Sequence, residues 1–253
     1  MTTATIDRTA NDELKFGVLG PLTVSAADGS LVALRGTRLP ALLTELLFHA
    51  NRWVPMSRLV DVLWGDTPPK SYVSNLHTYI HRLRGRGIPI EQVGGGYRIT
   101  VDVTGLDLLT FQAEADAGRQ AVRRGDYEAA ARHLRSALRQ WRSADMCAID
   151  QPHLELEAAR LETERIAVVE ECIDAELACG KAGELLGELD MLVRQYPLRE
   201  RFAAQYMRAL AATGRRAEAL EIYQRSRHAL VDQLGIEPGR QLRQVHEMIL
   251  NGQ

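Results

Sequence analysis

The chain has 253 residues, 45% hydrophobic and 25% charged, with a formal net charge of −2. These values are ordinary for a soluble globular protein of one large or two smaller domains. No run of eighteen apolar residues occurs, which excludes a membrane-spanning helix, and the three cysteines (Cys147, Cys172, Cys179) have no C-x-x-C spacing, which argues against a disulfide frame or a zinc site and for reduced thiols in a cytoplasm.

In chain order, residues 1–14 lack the apolar stretch of a secretory signal and read as a disordered lead-in. FGVLGPLTV (16–24) reads as two strands broken at Gly20-Pro21. Asp28-Gly29 reads as a turn and SLVAL (30–34) as a further short strand. LPALLTELLFHA (39–50) has the pattern of a helix with Thr37 as its N-cap. MSRLVDVLW (56–64) is a second helix, with Leu59, Val62 and Leu63 on one side. A third is expected over 68–84, capped by Thr67, opened by Pro68 and closed by Gly85 and Gly87. PIEQV-GGG-YRITVD then reads as a hairpin. From about residue 104 onward the pattern is helix after helix.

The third helix has an unusual surface. Wound at ~100° per residue, Val73, Leu76, Ile80 and Leu83 share an arc of roughly 80° that must face a core. The other side carries Lys70, Ser71, Ser74, Asn75, Thr78, His81 and Arg82, with no acid and no large apolar residue. Residues 68–98 hold five basic side chains and one acidic one in a protein that is slightly acidic as a whole. Short polar groups beside Arg and Lys fit a surface that reads base edges and contacts phosphates. A third helix of this kind followed by a hairpin fits a winged helix–turn–helix, with that helix in the major groove.

In the second part, GDYEAAARHLRSA (125–137), GKAGELLGELDML (180–192) and GRRAEALEIYQRS (214–226) align on their glycines. Each has a small or apolar residue five positions on (Ala130, Leu185, Ala219) and a bulkier one nine positions on (Leu134, Leu189, Tyr223). The last two glycines are 34 residues apart, the period of tetratricopeptide-type helical hairpins. Such stacks bind protein segments; any antiparallel helical bundle is the alternative.

Catalytic and cofactor signatures are missing from the sequence. His77 and His81 stand at i, i+4 without a third metal ligand. Neither a G-x-S-x-G, an H-E-x-x-H, a G-x-x-x-x-G-K-[ST] nor a dinucleotide fingerprint occurs. An enzyme, a cofactor and a metal are therefore not expected. Cys172 and Cys179 read as core-facing, and LELEAARLETERI as a solvated face with internal ion pairs.

FGVLGPLTV, RLPALLTELLFHANRWV, SRLVDVLWGDTPPKSYVSNLHTYIHRLR and GGGYRI resemble the DNA-binding domain of the streptomycete antibiotic regulatory proteins (SARPs), an OmpR/PhoB-type winged helix. The second part, with FQAEADAGRQAVRRGDYEAAARHLRSALRQW and LELEAARLETERIAVVEECIDAELACG, resembles that family's bacterial transcriptional activation domain; the resemblance runs from Phe16 to Leu250, with LVDVLWG-x-x-PP, YPLRER and QLGIEPG as its most specific stretches. The resemblance implies a mainly α protein: a winged helix–turn–helix over 15–103, then an all-α tetratricopeptide-like domain over 104–253. It implies an activator of secondary-metabolite genes that binds direct repeats in double-stranded promoter DNA near the −35 element and recruits RNA polymerase through its σ factor and other subunits. Ser74, Asn75, Thr78, His81 and Arg82 match the family's recognition helix, and Arg98 its wing. Lys70 and Ser71 join them as DNA-binding candidates. The turn Trp64, Gly65, Asp66, Thr67, Pro68 and Pro69 matches a stretch that is a candidate polymerase contact. No membrane partner is expected, and a small-molecule or peptide regulator is left unnamed. A protein-interaction scaffold that does not bind DNA, or a repressor of the same DNA-binding type, remain the alternatives.

Overall fold

The computed structural model describes residues 14–143 and 152–252. The lead-in expected over 1–14, apart from Leu14, and Cys147 lie outside the described residues. The fold is mainly helical with a small N-terminal sheet region. By proximity the chain divides into two compact units: one from Met1–Asp116 and Ser136–Arg165, the other from Ala117–Arg135 and Ile166–Gln253.

In the first unit, β1 (Lys15–Gly17) and β2 (Thr23–Ser25) pair antiparallel, in the register Phe16 opposite Val24. The third strand expected at 30–34 does not form. Leu31 makes a single bridge to Ser25, flanked by the Val32 N–H to the Val24 carbonyl at 2.8 Å and the Ala26 N–H to the Ser30 carbonyl at 2.9 Å, but it is 73% exposed, so the pairing with β2 goes no further where the segment has no core to face. Then follow α1 (Arg38–Phe48), β3 (Val54–Pro55), α2 (Met56–Trp64), α3 (Tyr72–Arg84), β4 (Ile90–Val93) and β5 (Gly96–Ile99). β3, not anticipated from the sequence, pairs with β5, which also pairs with β4 in the expected hairpin, giving the order β3-β5-β4.

α1 is the centre of this unit. Leu42, Leu43, Leu46 and Leu47 are fully buried, and the helix packs against α2, α3 and β5. Thr37 precedes it but makes no side-chain cap bond, contrary to expectation. Glu45 is also fully buried. Its carboxylate accepts from the Arg58 guanidinium of α2 and lies 3.3 Å from His49 Nδ1, so the acid is paired where an isolated one would be costly.

α4 (Asp107–Arg123) starts where Phe16 bridges Leu106. The Asp107 carboxylate accepts from the Val18 N–H at 2.8 Å, the Leu19 N–H at 3.0 Å and the Leu108 N–H at 2.8 Å, with Arg142 at 3.3 Å. Burial pushes this carboxyl above its ordinary range, and those donors pull against the shift. Arg142 also donates its backbone N–H to the Leu19 carbonyl at 2.9 Å. The Phe111 and Trp141 rings meet edge to face at 5.6 Å. The LELEAARLETERI stretch behaves as read, with Arg160 paired to Glu157 and Glu164 and Arg165 to Glu162.

The remaining helices are α5 (Tyr127–Leu138), α6 (Pro152–Ala178), α7 (Ala182–Gln195), α8 (Glu200–Ala212), α9 (Arg216–Leu234) and α10 (Arg240–Leu250). The aligned glycines fall just after α4, α6 and α8, with φ of 75°, 76° and 78° at Gly125, Gly180 and Gly214. Each reverses the chain into the next helix in the left-handed conformation that costs glycine least. Five and nine residues on, Ala130, Leu185, Ala219, Leu134 and Leu189 are buried, while Tyr223 is half-buried and stacks on His246 at 3.8 Å. α8 is central to the second unit, packing against α7, α9 and α10 with Phe202, Met207 and Leu210 fully buried.

YPLRER and QLGIEPG are explained here as structural motifs. Arg201 binds Asp174 at 2.8 Å, and Arg199 and Arg201 each reach Glu170 at 3.4 Å. Glu200 accepts from the Gly239 N–H at 2.6 Å, and Arg227 makes a two-bonded pair with Glu237. Of the two cysteines read as core-facing, Cys172 is buried and Cys179, just past the end of α6, is only half-buried. Burial pushes the Cys172 thiol up to about 12, opposed by Arg135.

A Cβ at Gly96 would run into the Val54 carbonyl and the Pro55 Cα, whereas one at Gly95 would meet nothing within 4 Å. Gly96→Ala is therefore expected to lower unfolding free energy by about 1–3 kcal/mol, and Gly95→Ala to change it by less than about 0.5 kcal/mol. Urea melts of the two variants giving the same midpoint would contradict this packing. Alkylation of the native protein at pH 8, read by peptide mass spectrometry, is expected to mark Cys179 well before Cys172, which should label only on unfolding. Equal rates at the two thiols would rule out the burial described.

Candidate nucleic-acid interface

α3 begins at Tyr72, four residues later than expected. Pro68 precedes another proline, which disfavours the helical region for it, and the first turn forms only when the Tyr72 N–H reaches the Pro69 carbonyl at 2.9 Å. Thr67 therefore does not cap the helix. Its hydroxyl lies 3.4 Å from the Trp64 carbonyl instead. Lys70 and Ser71 stand in the turn before the helix and are exposed.

Three of the four stripe residues are buried: Leu76 0%, Ile80 2% and Leu83 0% exposed. Val73 is the exception at 39%, because it sits in the first turn, beyond the core. With the stripe held inward, Ser74, Thr78, His81 and Arg82 are exposed. Asn75 is half-buried, and its Nδ2 donates to the Ser71 Oγ at 3.2 Å. The Ser74 hydroxyl donates to the Ser71 carbonyl at 3.0 Å and the Thr78 hydroxyl to the Ser74 carbonyl at 2.9 Å. Both residues are exposed and, with their protons so used, their hydroxyl oxygens are left to accept hydrogen bonds. Tyr72, Val73 and His77 share the exposed surface of this helix; the wheel placed Val73 inside and could not foresee the late start.

The basic cluster counted from the sequence is partly used internally. Arg84 Nε donates to the Ile90 carbonyl at 2.7 Å and ties the helix to the hairpin, and Arg86 donates to the Arg82 carbonyl at 2.7 Å. Arg98, on β5, pairs with Glu91 on β4 at 2.9 Å, with both side chains well exposed. Lys70 and Arg82 have no ion pair among the described residues. Behind the helix, burial raises the Tyr97 phenol above its ordinary range, and its ring meets His77 edge to face at 6.5 Å.

The turn from Trp64 to Pro69 is exposed at Gly65, Asp66, Thr67 and Pro68 and half-buried at Trp64 and Pro69. The Trp64 ring stacks on Tyr79 at 6.2 Å and lies under the Arg38 guanidinium at 5.7 Å. Its Nε1 is buried without a hydrogen-bond partner. Among the described residues, no group of three His, Cys, Asp or Glu is arranged to hold a metal, and no helix is long and apolar enough to cross a membrane.

Residues 106–250 match the family described as Bacterial transcriptional activator domain. Regulatory protein DnrI of Streptomyces peucetius is 34% identical over 252 residues, covering 94% of this chain and 92% of DnrI. Transcriptional regulatory protein EmbR of Mycobacterium tuberculosis is 34% identical over 97% of this chain, which spans 65% of EmbR's length. The solved structure of M. tuberculosis EmbR in complex with a low affinity phosphopeptide superposes with a TM-score of 0.90 at 34% identity, covering 95% of this chain and 66% of that one. With a domain match over more than half its residues and a relative of nearly equal length, the chain belongs to the SARP family of transcriptional regulators.

Proposed function

We propose that the chain is a sequence-specific DNA-binding transcriptional activator, with DNA recognition in residues 15–103 and polymerase-facing helices in 104–253. The observation that carries this reading is the surface of α3: Ser74, Thr78, His81 and Arg82 exposed, no acid in the helix, and the apolar stripe turned away. In the major groove the Ser74 and Thr78 oxygens accept from cytosine or adenine amino groups, Arg82 spans a guanine edge or a phosphate, and Val73 meets thymine methyls. Lys70, Ser71 and Asn75 flank this surface at the helix start. Arg98 turns from Glu91 to the backbone when the hairpin docks as a wing. The targets are direct repeats near the −35 element of secondary-metabolite promoters. RNA polymerase is recruited through its σ factor and other subunits, with the exposed Trp64–Pro69 turn as one contact.

A gel shift on a direct-repeat promoter fragment and its scrambled counterpart tests the reading. Arg82→Ala is expected to weaken operator binding, and Thr78→Ala to relax base preference, each by about 1–3 kcal/mol. Equal affinity of the wild-type protein for both fragments would defeat it. Exposed ion pairs contribute only about 0–1 kcal/mol, so Glu91→Gln should leave the fold intact and free Arg98. DNA binding at low salt is then expected to tighten by a few-fold with a steeper salt dependence. An unchanged salt slope would remove Arg98 from the interface.

A further inference from the structure

Beside α3 lies a basic cleft of about 310 Å³ whose lining includes Arg35, Thr37, Arg38, Tyr79 and Arg82. It has no carboxylate in its walls. Many arginines elsewhere in the protein are matched to acids, among them Arg119 to Glu171, Arg135 to Glu176 and Glu188, Arg201 to Asp174 and Arg227 to Glu237, while Arg84 and Arg86 donate to backbone carbonyls. Here three arginines line one cleft, and neither Arg35 nor Arg38 has an ion pair among the described residues. Arg38 is held by neutral groups instead. Its Nη1 lies 3.3 Å from the Tyr79 hydroxyl and its Cζ sits 5.7 Å from the Trp64 ring centroid. That arrangement fixes its direction without cancelling its charge. Like charges gathered on one wall repel unless an anion sits among them, and planar guanidinium forks suit phosphate oxygens. Arg82 belongs both to this cleft and to the exposed surface of α3, so the anion-accepting wall is continuous with the base-reading one.

We propose that this cleft is a phosphate anchor: Arg35 and Arg38 clamp one backbone phosphate of the duplex whose bases α3 reads. The inference rests on the DNA-binding reading above. It differs from it in assigning contacts to Arg35, just before α1, and Arg38, its first residue, outside the recognition helix and the wing. A phosphate clamp sets register and adds sequence-independent affinity, so its loss has a signature distinct from the loss of a base contact.

The test compares wild-type protein, Arg35→Ala and the Arg35→Ala/Arg38→Ala double variant on operator and scrambled duplexes at several salt concentrations, with thermal melts as a check on folding. Loss of one phosphate contact is expected to flatten the slope of log K against log salt by about one. For the double variant affinity should fall by about tenfold on both duplexes, leaving their ratio unchanged. Arg35 is exposed and makes no contact the fold needs, so the single variant, with a smaller loss of the same kind, keeps the question answerable if the double variant is unstable. An unchanged slope would overturn the anchor, and so would a loss confined to the operator. Normal DNA binding with failed polymerase recruitment would assign the cleft to an acidic protein segment instead, and overturn it equally. Wild-type protein that retains neither duplex would instead remove the DNA-binding reading itself, and the anchor with it.

Discussion

Three side chains determine how the candidate interface is presented. Leu76, Ile80 and Leu83 lose all or nearly all their contact with water, each contributing about 1.5–3 kcal/mol to holding α3 in place. Because a helix is rigid, burying one side fixes what the other displays. Ser74, Thr78, His81 and Arg82 are outward because the leucines and isoleucine are inward. α1, with its four fully buried leucines, supplies the surface that accepts them, and the pair of buried Glu45 with exposed Arg58 ties α1 to α2. The polar surface is thus a by-product of the core, and a substitution at Leu76 would act on recognition without touching a ligand.

Much of this was legible in the amino-acid order. The helical period of α3, the glycines that punctuate the later helices and the GGG turn of the hairpin are local signals. Local physics places them: side-chain period, left-handed turns and the need to bury apolar stripes. What was not legible depends on partners distant in sequence. β3 is two residues long and exists because β5 runs beside it. SLVAL has strand composition but reaches β2 through only one bridge, with Leu31 left exposed. The start of α3 was misplaced because Thr67-Pro68 resembles a helix opening when the effect of the following Pro69 is ignored. The charge tally of residues 68–98 overstated the free cations, since Arg84 and Arg98 are engaged by Ile90 and Glu91. It also omitted Arg35 and Arg38, which folding brings beside Arg82 from outside that window.

The most specific family motifs of the second unit act in packing within that unit. YPLRER supplies two arginines that neutralise Glu170 and Asp174 and a glutamate that holds the Gly239 amide. QLGIEPG turns the chain at Gly235, with φ of 67°, and returns Glu237 to Arg227. Such motifs identify the family while leaving the choice of DNA target to the less distinctive residues of α3. Relatives with the same architecture are free to differ where the architecture is indifferent.

Asp107 has a practical bearing on how this protein can be cut. Its carboxylate accepts hydrogen bonds from the amides of Val18 and Leu19, just after the first strand and 89 and 88 residues upstream. A fragment ending at residue 103 would strip these amides of their acceptor and deprive Phe16 of Leu106. The minimal excisable winged helix therefore extends into α4, and a shorter truncation would report on a damaged first strand as much as on the missing helices.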